Sequence, residues 1–189
     1  NKDTLYRGTT LWDYEGESKV GQFFVNGDVQ TGGLRHRILA GIDMGDKSFY
    51  HDWSQGGALK PLNIYNPVYG TIPASAYPAF DRTKDLRERG VHYRQSYVGY
   101  YAQDEIGMFN DKLRLTLAGR FTTASDQDPY SGIVEASKFT PRVGLSYSID
   151  KNTSAYAVYD QAFVPQAGAD INGNSFKPIT GDNVELGAK

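Results

Sequence analysis

The residues that usually make and break bonds are sparse in this chain. Its 189 residues include no cysteine and three histidines, His36, His51 and His92, whose separations do not match the spacings that gather ligands around a metal ion. No Gly-rich phosphate loop and no Gly-x-Ser-x-Gly elbow occurs, no nucleophile stands at a suggestive spacing from a histidine, and the carboxylates are scattered rather than paired. An enzyme is therefore not expected. Two motifs come nearer to chemistry. Asp170, Asn172 and Asn174 have the alternate-residue spacing of a calcium loop, but Ser175 stands where an EF-hand needs glycine and Gly181 replaces the bidentate glutamate. A turn-forming loop is expected there instead. The charged run Asp81 to Arg89 sets Asp85 four residues before Arg89 but Asp81 four before Asp85, so its helix-like spacing is mixed and reads as a solvated loop segment with room for one helical turn. Aromatic side chains are abundant instead, with 14 Tyr, 9 Phe and 2 Trp. Such side chains bind through surface.

The elements that carry these side chains follow a period of two. Seven runs can be traced. The first, about residues 19–30, sets Phe23, Val25 and Val29 against Gln22, Asn26, Asp28 and Gln30, with Phe24 on the polar side. After Gly32 and Gly33, which supply the positive φ of a tight hairpin, the second sets Ile38, Ala40, Ile42 and Met44 against Arg37, Asp43 and Lys47. The third, about 93–106, opposes Val98, Tyr100 and Ala102 to Tyr101, Gln103 and Glu105. The fourth follows Asn110 and Asp111, and alternates Leu113, Leu115, Leu117 and Phe121 with Arg114, Thr116, Arg120 and Thr122. The fifth, about 137–149, places Phe139, Pro141, Val143, Leu145 and Tyr147 opposite Thr140, Arg142, Ser146 and Ser148. A turn at Asp150 to Asn152 leads to the sixth, 154–163, whose facing is undecided because both sides carry tyrosine. The seventh spans 184–188.

The connections alternate as well. Those after the first, third and fifth runs are a few residues long, whereas the others cover about 50–92, 124–136 and 164–182. Short turns at one end and long loops at the other are the pattern of outer-membrane barrel hairpins; loops of a soluble sandwich meet water at both ends and need no such rule. The expected fold class is all-β, an antiparallel transmembrane β-barrel segment of about seven strands. Composition agrees: 39% hydrophobic residues and a mean hydropathy of −0.53 suit strands with one wet face. A net charge of −2 gives no basis for nucleic acid as a partner. No stretch reaches the ~18 apolar residues of a spanning helix, which does not bear on strands. The chain opens at Asn1, Lys2 and Asp3 without an initiator methionine and ends within an alternating run, so a piece of a larger barrel is expected, because unpaired strand edges are not tolerated in lipid.

Three stretches resemble one family in order. The first is residues 98–106 (VGYYAQDEI) followed by 113–120 (LRLTLAGR); the second is 139–145 (FTPRVGL) with Tyr156 to Tyr159, Gln161 to Phe163 and Pro165. The third joins Asn172 to Asn174, Phe176 to Pro178, Thr180 and Gly181 to Val184 to Gly187. With residues 62–70 (LNIYNPVYG), they are similar to the barrel strands and loops of TonB-dependent siderophore receptors, in particular the ferrichrome-type hydroxamate branch. Asp182 and Asn183 depart from the usual acidic-aromatic pair, and Thr122 and Thr123 from a Tyr-Asp pair.

The resemblance implies that residues 1–189 are part of a plugged barrel of about 22 strands, with the plug domain, the TonB box and the remaining strands outside this chain. It implies a Gram-negative outer-membrane location and uptake of a ferric siderophore, with energy supplied through TonB. Outer-membrane lipid would be a further partner. Iron would arrive wrapped in its chelator as cargo, so no cofactor and no metal ligands are expected. Contacts to the chelate are expected from Tyr50, Trp53, Tyr65, Tyr69, Tyr77 and Phe80 in the 50–92 loop and from Tyr130, because polar-tipped aromatics cover a compact hydrogen-bonding ligand at small entropic cost. Gln103, Glu105, Arg114, Arg120 and Arg142 are read as lumen-facing. The alternative is a soluble all-β carbohydrate-binding or adhesion module; a passive porin is disfavoured by the aromatic loops.

Overall fold

A computed structural model describes residues 3–166, 168, 170–174 and 176–189. Its elements in chain order are β1 (Thr4–Leu5), β2 (Gly8–Thr31), β3 (Leu34–Ala58), β4 (Leu62–Asn63), a 3-10 turn (Ala74–Ala76), α1 (Leu86–Arg89), β5 (Val91–Met108), β6 (Leu113–Asp128), β7 (Gly132–Ser148), β8 (Ser154–Val164) and β9 (Ile179–Ala188). The seven long strands form one sheet in the order β2-β3-β5-β6-β7-β8-β9, and β1 pairs with β4 separately. The chain divides into two compact units. One comprises residues 1–17 and 48–93, the other 18–47 and 94–189.

The larger unit shows why the alternation matters. Register places Leu117 opposite Val143, and Phe121 opposite Tyr100 and Phe139, so one face collects apolar side chains, with Asp104, opposite Leu117 and paired to His36, as a polar pair among them. Phe23, Val25, Ile38, Met44, Leu117, Phe121, Val143, Leu145 and Leu186 on it are exposed, and no large side chain among the described residues is fully buried. An apolar face this extensive requires an apolar medium. The other face is polar and densely bonded. Arg35 pairs with Asp28 and Asp111 at 2.5 and 3.2 Å, Arg37 with Glu105 and Asp111, and Arg120 with Asp43. The sixth run, undecided by its residues, is settled by register: Tyr159 lies between Val143 and Val184 on the apolar face, Tyr156 between Ser146 and Gly187 on the polar one.

The strands are longer than the alternation suggests. β6 and β7 stay paired through Asp128↔Gly132, so the connection read as residues 124–136 shrinks to 129–131 and breaks the rule that every second connection is long. The ladder needs only backbone groups, and the polar run Ser125 to Asp128 keeps it without any apolar signal. The turn closes as Asp128 Oδ1 accepts the Tyr130 and Ser131 N–H groups at 2.7 and 2.9 Å, with Gly132 at φ 86°. Likewise the 50–92 loop contracts to 59–90 and the 164–182 loop to 165–178. In that last connection Asp170 accepts from the Asn172 and Asn174 N–H groups at 2.8 and 2.9 Å and from Asn174 Nδ2 at 3.0 Å, a side-chain-closed turn as expected; Ser175 lies outside the described residues. Among the described residues no helix is long and apolar enough to cross a membrane.

Candidate functional site

The smaller unit holds most of the aromatic residues expected to meet a ligand. Its framework is β1 paired to β4, with Leu59 N–H donating to Arg7 O at 3.0 Å and Thr9 Oγ1 donating to Ala76 O at 2.5 Å. α1 starts where Asp85 accepts the Arg87 N–H at 2.8 Å, a single-residue N-cap. It is one turn long. It carries Arg87, whose side chain is 57% exposed, and Arg89, whose side chain is 10% exposed.

Those arginines reach the aromatics. The Arg87 guanidinium lies over the Tyr50 ring, 5.4 Å from its centroid, and Tyr50 stacks in turn on His92 at 4.3 Å and 11°. Arg89 and Arg82 both lie over Phe80, at 4.8 and 5.2 Å. Cation–π contacts of this kind favour guanidinium. Each arginine also meets a carboxylate from another element: Arg87 with Glu15, Arg82 with Asp13, and Arg89 with both Asp13 and Asp52. Residues 81–85, 87 and 88 are exposed and Leu86–Arg89 make one helical turn, so the charged run 81–89 is the solvated segment expected of it, except at Arg89, whose side chain is only 10% exposed. Its four-residue partner Asp85 caps the helix instead of pairing with it. The carboxylate of Asp13 bonded to Arg89 holds that guanidinium firmly protonated, and Glu15 does the same for Arg87. Asp81 is held below the usual carboxylate range by the Thr83 hydroxyl it accepts.

The structure brings Tyr50 and Phe80 under one arginine cluster. Tyr65 and Tyr69, 80% and 73% exposed, stand in the connection after β4, where Asn63 Oδ1 accepts the Tyr65 and Asn66 N–H groups at 2.9 and 3.1 Å. Trp53 is exposed on β3, and Tyr77 ends the 3-10 turn. Tyr130 belongs to the other unit, at the β6–β7 turn. Sequence reading missed Asp13, Glu15 and Asp52. It also missed a second aromatic group: Trp12, Phe49, His51 and Tyr93, with Phe49 parallel to Tyr93 at 4.9 Å and 4° and His51 5.6 Å from Trp12. The signal was present in the alternation of Trp12 and Tyr14 with Asp13, Glu15 and Glu17. Of the other histidines, His36 Nδ1 lies 2.7 Å from Asp104 Oδ2 and His92 Nε2 2.8 Å from Ser48 Oγ.

All 189 residues match the family model described as TonB dependent receptor-like, beta-barrel. The chain belongs to that family. This receptor segment is thus part of an outer-membrane β-barrel of a Gram-negative cell, in a family of transporters rather than enzymes. It is 33% identical to the ferrioxamine B receptor of Salmonella typhimurium over 87% of its own length and 22% of that protein's. It is 39% identical to the ferric-pyoverdine M114 receptor of a Pseudomonas species over 99% of its length and 24% of that protein's. The receptor segment therefore spans about a quarter or less of these relatives. Its fold matches the solved ferric preacinetobactin receptor of Acinetobacter baumannii with a TM-score of 0.82, at 20% identity, over 98% of this chain and 28% of that one.

Proposed function

We propose that the chain forms barrel wall and ligand-facing surface in a TonB-dependent receptor that imports a ferric siderophore of hydroxamate type. The likeness to the ferrioxamine B receptor over 87% of the chain carries this reading. Plug domain, TonB box and remaining strands belong to the parent protein outside residues 1–189. The chelate arrives with iron already enclosed, so the protein recognises a shaped organic surface and supplies no metal ligands. Tyr50 and Phe80 with their arginine caps, Trp53, Tyr65, Tyr69 and Tyr77 are the contacts proposed for it within the smaller unit, and Tyr130 is a further proposed contact, taken by itself. Rigid aromatics with polar tips suit such a ligand. Energised opening through TonB is a separate step, carried by the plug.

The test is titration of the intact outer-membrane protein in detergent with a ferric hydroxamate, followed by Trp and Tyr fluorescence. Saturable quenching by the ferric complex but not by the iron-free chelator is the expected result, and Tyr50→Ala weakens it by about tenfold, the effect of losing one aromatic anchor. A folded protein that responds to no ferric chelate sinks the proposal. The identity to the ferric-pyoverdine M114 receptor favours a second reading, a pyoverdine ligand; quenching by ferric pyoverdine and not by a simple trihydroxamate selects it.

A further inference from the structure

We infer that Asn172 is a site of self-modification, losing its side-chain amide through attack by the Gly173 nitrogen, and that Asp170 is the residue that delays it. The inference holds whatever cargo the receptor carries. The sequence has two Asn-Gly pairs, Asn26–Gly27 and Asn172–Gly173. In such a pair the glycine nitrogen approaches the asparagine Cγ readily, because no Cβ shields it. The N–Cγ bond forms and the Cγ–Nδ2 bond breaks. Ammonia leaves, carrying the proton given up by the glycine nitrogen, and water then opens the five-membered imide to aspartate or isoaspartate.

The two pairs meet different surroundings. A Cβ at either glycine would touch nothing within 4 Å, so space does not separate them. Backbone does. Asn26 and Gly27 lie inside β2, which is 24 residues long and hydrogen-bonded to β3; turning the glycine nitrogen back onto its neighbour's side chain would break that ladder. Asn172 and Gly173 lie in the 165–178 connection, where Gly173 takes φ 83°. Residues 170–174 are all exposed, Ile171 completely, so no buried apolar side chain holds the turn shut. Asp170 holds it instead. Its Oδ1 accepts the Asn172 and Asn174 N–H groups, its carbonyl oxygen accepts the Gly173 N–H at 3.0 Å, and its own N–H donates to the Asn174 carbonyl at 2.8 Å. The attacking nitrogen is occupied while the turn is closed and becomes available when it opens. A segment fastened by hydrogen bonds alone belongs to the low end of local stability. The change is one-way: isoaspartate lengthens the main chain by one carbon, and either product sets a second carboxylate beside Asp170, both of which oppose reclosure.

The experiment holds the intact outer-membrane protein in mildly alkaline buffer with detergent and follows both Asn-Gly peptides by mass spectrometry after digestion, with fragmentation separating isoaspartate from aspartate. Asn172 is expected to convert while Asn26 keeps its amide. Asp170→Ala is expected to speed conversion at residue 172 about tenfold, the rate equivalent of one hydrogen bond to a charged group, again without conversion at Asn26. Asn26 thereby reports on the fold, since a variant that had lost its sheet would convert there too. Asp170→Asn, which keeps an acceptor oxygen without its charge, is expected to fall between wild type and Asp170→Ala. Conversion at Asn172 that is no faster in Asp170→Ala than in wild type overturns the inference. So does a folded wild type whose two pairs react alike, or an Asn172 that keeps its amide even when Asp170 is gone.

Discussion

Arg120 illustrates how a charge is carried on a strand of this protein. Its Nη1 and Nη2 donate to the two Asp43 oxygens at 2.8 and 2.6 Å, its Nε donates to Thr122 Oγ1 at 2.8 Å, and the Tyr101 ring lies 6.0 Å away. Tyr101 in turn accepts from Gln22 Nε2 at 2.9 Å and fills the space left by Gly41, where a Cβ would come within 2.6 Å of the Tyr101 hydroxyl and 2.7 Å of the Phe23 carbonyl oxygen. The backbone oxygen cannot give way. Gly41→Ala is expected to destabilise the intact barrel by about 1–3 kcal/mol and Asp43→Ala by about 1.5–3 kcal/mol, both read from urea unfolding in lipid vesicles. The place of Arg120 on the polar face was legible from the alternation along residues 113–122. Its partner, 77 residues away in the chain, was not, since only register decides which acid it meets. Asp170 gives a pH prediction at the same scale. Bonds from Asn174 hold its carboxyl below the ordinary range, so its turn is intact above the unfolded carboxylate pKa and is lost as pH falls through the lower folded value. Exchange of the Asn172 and Asn174 amides, corrected for intrinsic rate, should stay slow at pH 7 and accelerate only in strong acid, whereas Asp170→Ala accelerates it at every pH.

β6 is the element in which the period of two is cleanest, and it separates the two faces most sharply. Leu117 projects into the exposed apolar face, while Thr116 sits on the polar one opposite Glu105 and Gly144. An arginine in place of Leu117 is expected to cost about 2–4 kcal/mol in a bilayer, and one in place of Thr116 far less. Equal penalties at the two sites, measured by vesicle unfolding, would show that the face assignment is wrong. The same strand marks the limit of reading from residues. Up to Thr122 hydrophobic alternation reveals it; beyond, Ser125 to Asp128 remain in a ladder that leaves no trace in side-chain polarity. β2 behaves similarly, since its first half alternates aromatics with acids and carries a single aliphatic residue, Leu11. α1 was visible as a charge pattern, but its partners lie on β2 and β3, so the arginine cluster emerged only with tertiary structure.

Among the described residues the seven-stranded sheet has two edge strands, β2 and β9, each hydrogen-bonded to one neighbouring strand of that sheet. Unpaired backbone groups at such edges cost several kcal/mol apiece in hydrocarbon, and in water they invite pairing with other chains. Residues 1–189 on their own are therefore expected to associate in detergent, with sedimentation reporting oligomers; a stable monomer would show that the two edges do not pair with other copies. Within the larger unit the 32–33, 109–112 and 149–153 turns lie at one end of the sheet, and the 129–131 and 165–178 connections at the other. In outer-membrane barrels the first kind faces the periplasm.

The β6–β7 hairpin consequently offers a handle on the living cell. Its three-residue tip is closed by one aspartate and exposes Tyr130, and exposed tips of this kind accept inserted sequence with little disturbance. A short epitope placed between Tyr130 and Ser131 becomes a flag planted on the outside of the bacterium, countable by antibody on unbroken cells. Its silence on intact cells, with a signal only after lysis, would turn the protein's orientation upside down.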